Sequence, residues 1–86
     1  MSDRLNLLKS GQRKCSELLS TYPSNVALQS VAKQIEYLIE LEQGTHSDRS
    51  RLKDITIGVL TAREIEQLDD DAAEIFYQIS SASKIM

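Results

Sequence analysis

Apolar residues recur at alternating steps of three and four along the first quarter of the chain. Side chains at this spacing share one face of a helix. Ser2 or Asp3 can cap the start of such a helix, and Pro23 cannot continue it. We therefore predict a first helix that ends near Thr21. Its inward stripe, in which only Gln12 is a weak member, is Leu5, Leu8, Gln12, Cys15, Leu19 and Tyr22.

A second apolar stripe comes after a short polar interval. Ser24 or Asn25 can cap its start, and Gly44 is placed to end it in the left-handed conformation that glycine adopts easily. The short connection predicts that the first two helices form an antiparallel hairpin joined by two to four residues. The stripe consists of Leu28, Val31, Ala32, Ile35, Leu38 and Ile39.

The pattern between residues 44 and 65 is less regular. Residues 44–50 are predicted to form a polar loop, in which Ser47 or Asp48 can cap the next helix. A strand over residues 55–60 is an alternative, because this segment is rich in β-branched residues. However, no other segment of the sequence has the pattern of a strand that could pair with it. We therefore predict a third helix that bends or restarts near Gly58, where the spacing of Thr61 and Glu64 suggests a capping box. Its stripe is Leu52, Ile55, Val59, Ala62 and Ile65.

Three consecutive aspartates precede the last stripe, at the position where negative charge stabilises the start of a helix. These are Asp69, Asp70 and Asp71, and the stripe after them is Ala72, Ile75, Phe76 and Ile79. With three Gly and one Pro in 86 residues, the composition does not suggest a turn-rich β architecture. The sequence predicts an all-α fold, a small single-domain bundle of about four amphipathic helices over residues 1–86.

Side chains that carry catalytic or metal chemistry are scarce. The chain has one Cys and one His, Cys15 and His46, which lie 31 positions apart. Catalytic sites and metal sites need several such groups close together, and a single pair does not supply them. We therefore expect Cys15 to be a buried thiol and His46 to be a solvated loop histidine. General acid-base catalysis needs a carboxyl group that is removed from water, whereas Glu36 and Glu40 should face water. We predict no enzyme activity, no cofactor and no bound metal.

The charges are unevenly distributed along the chain, although the net charge is only −3. Six acidic residues and one basic residue occur from Glu64 onward, whereas residues 1–14 hold four bases and one acid. A net negative charge makes binding to nucleic acid unfavourable and binding to a basic partner favourable. The single cysteine indicates a reducing compartment, and no apolar run suggests a secretion signal or a membrane span. We expect a cytoplasmic binding protein.

Four short motifs occur in order between about Leu18 and Tyr77. They are Leu18-Leu19-x-x-Tyr22-Pro23, Lys33-Gln34-Ile35-x-Tyr37-Leu38, Asp48-Arg49-Ser50-x-Leu52-x-x-Ile55-Thr56-Ile57-Gly58 and Ala62-Arg63-Glu64-Ile65. Together they resemble the family of small helical immunity proteins that neutralise NAD(P)+ glycohydrolase toxins of type VI secretion and contact-dependent growth inhibition. The resemblance implies a protein that binds the C-terminal toxin domain of its cognate partner and protects the NAD+ and NADP+ of the cell.

The partner surface is expected to combine exposed tyrosines with acidic side chains, since aromatic anchors surrounded by charge supply most of the energy of an interface. The alternative for Tyr37 is a place at the rim of the core, and the alternative for the aspartate run is helix capping. Asp48 and Ser50 are read as caps of the third helix, and Gly58 as a site of close packing. The expected partner-binding residues are Tyr22, Tyr37, Glu64, Glu66, Asp69, Asp70, Asp71, Glu74 and Tyr77.

Three functions remain open from the sequence. The first is an immunity protein that binds its toxin one-to-one and blocks the active-site cleft. The second is a non-catalytic helical adaptor or oligomerisation module, and the third, which the acidic balance disfavours, is a small regulator that contacts nucleic acid. A homodimer of the free protein is compatible with all of them.

Overall fold

The computed structural model describes residues 3–45 and 47–86. The expected cap at Ser2 and the expected solvated histidine His46 lie outside the described residues. Within the described ranges the chain forms helices and no strand, which confirms the all-α prediction. The elements are α1 (Asp3–Thr21), α2 (Val26–Gln43), a 3₁₀ turn (Leu52–Asp54), α3 (Ile57–Leu60), a π-helical segment (Thr61–Ile65) and α4 (Asp70–Ser83).

Helices α1 and α2 form the predicted antiparallel hairpin. The Asn25 side chain accepts a hydrogen bond from the Leu28 N–H at 3.0 Å, and Gly44 ends α2 with φ of 81°. An ion pair of 3.2 Å between Arg4 and Glu42 joins the start of α1 to the end of α2. Both ends of α2 therefore follow the capping rules that the sequence suggested.

The buried face of α1 differs from the predicted stripe. Gln12 and Tyr22 are exposed, and the residues that α1 buries are Leu8, Gly11, Cys15 and Leu18. A Cβ at position 11 would collide with Cδ1 of Ile79 and lie 3.4 Å from Cδ1 of Ile35. Because glycine has no side chain, α1 approaches α4 and α2 closely at this position. Helix α1 is therefore rotated so that Gly11 faces the other two helices.

The third helical region departs most from expectation. It begins with a 3₁₀ turn, continues through extended backbone at Ile55 and then forms α3 and the π-helical segment. The predicted capping box was wrong, because Thr61 lies inside the helix and its hydroxyl donates to the Ile57 carbonyl at 2.7 Å. The predicted caps were wrong as well, because Asp48 accepts from the Ser50 N–H at 2.9 Å within the loop. The N-cap positions of the 3₁₀ turn and of α3 are Arg51 and Thr56, and neither forms a side-chain cap.

A side chain from α2 holds the start of α3. The Thr56 N–H donates to Oε1 of Gln34 at 2.8 Å, and Nε2 of Gln34 donates to the Thr56 hydroxyl at 3.0 Å. On the opposite side, a Cβ at Gly58 would lie 2.8 Å from Oγ of Ser80 in α4. The close packing predicted for Gly58 is confirmed, and the two contacts fix α3 between α2 and α4.

Helix α4 begins at the aspartate run, as predicted. Asp69 has an extended backbone, with φ of −164°, and its side chain accepts from the Ala72 N–H at 3.0 Å. The helix packs against α1 on one side and against α3 and the π-helical segment on the other, and Phe76 and Ile79 are fully buried there. None of the helices in the described ranges is long and apolar enough to cross a membrane.

Candidate functional site

An open groove of about 390 Å³ runs along the exposed side of α4 and reaches the turn after the π-helical segment. Its carboxylates, Glu66, Asp70 and Glu74, are exposed, and none of them forms an ion pair within residues 3–45 and 47–86. We call this the acidic groove. Its lining residues are Glu66, Asp70, Ala73, Glu74, Tyr77, Gln78 and Ser81. The structure thus brings together four of the nine predicted partner-binding residues.

Tyr77 closes one side of the acidic groove. Its hydroxyl donates a hydrogen bond to Oε2 of Glu66, and this bond to the carboxylate raises the pKa of Tyr77. The ring is 36% exposed, so it presents apolar area next to the carboxylates. The bond joins α4 to the preceding turn and orients both side chains before any partner arrives.

Asp69 has a structural role that separates it from the rest of the aspartate run. It caps α4 and forms an ion pair of 3.4 Å with Lys14 of α1. The bond from the Ala72 N–H is the main reason that its pKa is lowered, and Lys14 adds to the effect. Asp71 is exposed on α4 but lies outside the acidic groove.

Tyr37 was predicted as an exposed anchor, and the structure places it in the core instead. It is 6% exposed, and its hydroxyl donates to the Asp48 carbonyl at 2.7 Å. The guanidinium of Arg51 covers the ring, 5.2 Å from its centre. A position at the core rim, which the sequence left open, is the one observed. Tyr22 is 39% exposed at the end of α1 and does not line the acidic groove.

A second groove of about 420 Å³ runs between the start of α2 and the π-helical segment. Val26, the first residue of α2, is 75% exposed there. We call this the apolar groove, and its lining residues are Asn25, Val26, Ala27, Ser30, Leu60 and Glu64. Glu64 therefore lies apart from the acidic groove. Val26 was not among the predicted partner-binding residues, although its position outside the stripe of α2 indicated an exposed apolar side chain.

The remaining reactive groups are buried or dispersed. Cys15 is 1% exposed, its Sγ donates to the Leu28 carbonyl at 3.3 Å, and burial raises its pKa to about 11. Within the described part of the chain, no group of three or more His, Cys, Asp or Glu side chains is arranged to hold a metal ion. The described surface therefore offers charged groups and apolar area to a binding partner.

Comparison with known proteins gives agreement in both sequence and fold. The structure is similar to that of Tsi6 from Pseudomonas aeruginosa, with a TM-score of 0.88 and 20% identity over 95% of this chain and 85% of that chain. It is also similar to a chain in the structure of Tse6 in complex with Tsi6, with a TM-score of 0.89 and 19% identity over 96% of this chain and 88% of that chain. No curated protein sequence matches significantly.

The Tsi6 family profile matches residues 4–86, which is nearly the whole chain. The match includes all four motifs that suggested a small helical immunity protein, and the fold agrees independently. The resemblance is thereby confirmed, and the chain belongs to the Tsi6 family.

Proposed function

We propose that this protein is an immunity protein that binds a cognate NAD(P)+ glycohydrolase toxin domain one-to-one in the bacterial cytoplasm and blocks its active-site cleft. The observation that carries the proposal is the family match over residues 4–86. The fold gives further support, because a chain of the same fold occurs in the complex of Tse6 with Tsi6.

The charge of the acidic groove is consistent with this role. An enzyme that binds a dinucleotide must hold its phosphates, and positive groups in a cleft are the usual means. Glu66, Asp70 and Glu74 offer carboxylates to such a cleft. They would compete with the phosphates for the same positive groups, and their charge would speed the encounter with the toxin.

Inhibition by covering the cleft needs no turnover by the immunity protein. A protein interface of standard size occupies about 800 Å² on each partner. The described part of this chain exposes 5291 Å² in all, so such an interface would use one side of the molecule. Two grooves on neighbouring surfaces provide suitable contact area.

The proposal is tested by titrating the purified protein into the toxin domain encoded beside its gene while the loss of NAD+ is measured. Inhibition should increase linearly and become complete at about one equivalent, since binding is one-to-one and tight. Complete inhibition far below one equivalent would show that the protein acts on the toxin catalytically. Unchanged loss of NAD+ at excess protein would remove the immunity function and favour a helical adaptor.

A further inference from the structure

The π-helical segment and the residue after it lie between the two grooves. Glu64 lines the apolar groove, whereas Glu66 lines the acidic groove. The Glu66 N–H reaches back to the Thr61 carbonyl at 3.0 Å, and this wide turn ends the segment. π-Helical turns are rare and occur frequently at functional sites. The geometry places two different surfaces on the two sides of one short segment.

The apolar groove leaves aliphatic area in contact with water. Val26, which lines the groove, is 75% exposed. Burying an aliphatic side chain of this size contributes favourably to an association because it removes apolar area from water. A partner that fills the groove with an apolar side chain would therefore gain affinity that carboxylates alone do not provide.

The charges around the groove indicate what its occupant carries. Glu64 stands at the edge of the groove and forms no ion pair within the described residues. The acidic groove adds three more carboxylates on the other side of the same segment. An occupant that pairs an apolar side chain with lysine or arginine matches this surface.

A second copy of this chain is a poorer match for the same surface. Lys84 and Ile85 are a basic residue next to an apolar one that is 75% exposed. They would bring one positive charge to four carboxylates, and each copy has a net charge of −3. Like net charges oppose association, so a basic partner is favoured over self-association.

We infer that the apolar groove receives an apolar anchor side chain of the toxin domain, and that a basic residue of the toxin lies opposite Glu64. This inference rests on the proposed function. The two grooves then act on different steps: the acidic groove increases the association rate, and the apolar groove slows dissociation.

The test compares Val26→Ser with Ile85→Ser on immobilised toxin domain. Serine is well tolerated at the start of a helix, so Val26→Ser should fold normally, and Ile85 is equally exposed but lines neither the acidic nor the apolar groove. Val26→Ser should dissociate about fivefold to tenfold faster, with an association rate within about twofold of the original, since the apolar anchor acts after the encounter. Ile85→Ser should match the original protein, and Glu64→Gln should weaken binding.

Three results would overturn the inference. Unchanged dissociation of Val26→Ser, beside normal binding by the original protein, would show that the groove lies outside the interface. Self-association that both serine substitutions abolish would identify a second copy as the occupant. Failure of the original protein to bind the toxin domain would overturn the proposed function itself, and this inference with it.

Discussion

The thiol of Cys15 donates from α1 to the backbone of α2, at the Leu28 carbonyl. Because burial raises its pKa to about 11, the thiolate is scarce at neutral pH, and the sulfur lies out of reach of reagents. Serine is similar in size and can donate the same bond. We expect Cys15→Ser to inhibit the toxin as well as the original protein does. Loss of inhibition at an unchanged melting temperature would contradict this structural role.

The same thiol should make stability depend on alkaline pH. Its pKa is about 11 in the folded state against 9.0 as the ordinary value, so folding favours the protonated form. That stabilisation is complete below pH 9 and is lost as the pH rises toward 11, by about 2 kcal/mol. Urea unfolding at pH 8 and pH 11 should show this loss in the original protein. Cys15→Ser, which keeps every other titrating group, should show a smaller loss.

At Asp69, substitutions can separate the contribution of helix capping to stability from the contribution of the negative charge. Alanine removes the bond from the Ala72 N–H, and we expect it to lower the free energy of unfolding by about 1 kcal/mol. Asparagine keeps that bond and should cost less. Because the pKa of Asp69 is lowered in the folded protein, its contribution is present above the unfolded pKa and declines as the pH falls through the folded one. Acid unfolding of Asp69→Asn should lack this component, and equal stability of the two variants at neutral pH would refute the cap.

At the level of helices, the packing of the bundle depends on Gly11. Alanine there gains helix propensity of about 1 kcal/mol, but its Cβ would collide with Cδ1 of Ile79. We expect Gly11→Ala to lower the free energy of unfolding by about 1 to 2 kcal/mol net, since overpacking a tight core is costly. Urea unfolding at neutral pH is the measurement.

The partner substitution for Gly11→Ala is Ile79→Val, which removes Cδ1. The double variant should be more stable than Gly11→Ala alone, although Ile79→Val by itself costs about 1 kcal/mol. Strictly additive losses would show that the two positions do not compete for the same space. Helix α1 would then approach α4 for another reason.

Local chemistry made α1, α2 and α4 predictable. Asn25, Gly44 and Asp69 act within a few residues of their own position, so their effect can be read directly from the chain. The region between residues 50 and 65 depends on distant partners. Thr56 is held by Gln34, which lies 22 positions earlier, and the β-branched residues around it suit several conformations. Neither the extended Ile55 nor the π-helical segment has a local signal that would predict it.

At the scale of the whole molecule, the sequence predicted those residues of the candidate surface whose charge is enough to keep them exposed to water. Glu66, Asp70 and Glu74 are exposed on adjacent elements, as their residue types suggested. Tyr37 was misplaced because a tyrosine suits an interface and a core rim equally well, and the carbonyl that binds its hydroxyl belongs to a loop 11 positions away. The apolar groove needs two elements that meet only in the folded chain.

The uneven charge of the molecule predicts how binding responds to salt. Reversing Asp70 and Glu74 to lysine should slow association with the toxin domain by about tenfold and flatten its dependence on ionic strength. Asp69 is left unchanged because it caps α4. Glu17→Lys with Glu36→Lys is the matched control, since both residues are exposed on α1 and α2 and the net charge changes equally. Equal slowing in both variants would mean that net charge matters and the acidic groove does not.

The hairpin of α1 and α2 affects how soon after its synthesis the protein reaches its folded state. Its contacts lie within the first half of the chain, from Cys15 with Leu28 to Arg4 with Glu42, and helical bundles fold within microseconds to milliseconds. The hairpin can begin to form during synthesis, and α4 then completes the core through Phe76 and Ile79. Translation takes seconds at about 5 to 20 residues per second, so the supply of folded protein is limited by its synthesis and not by its folding.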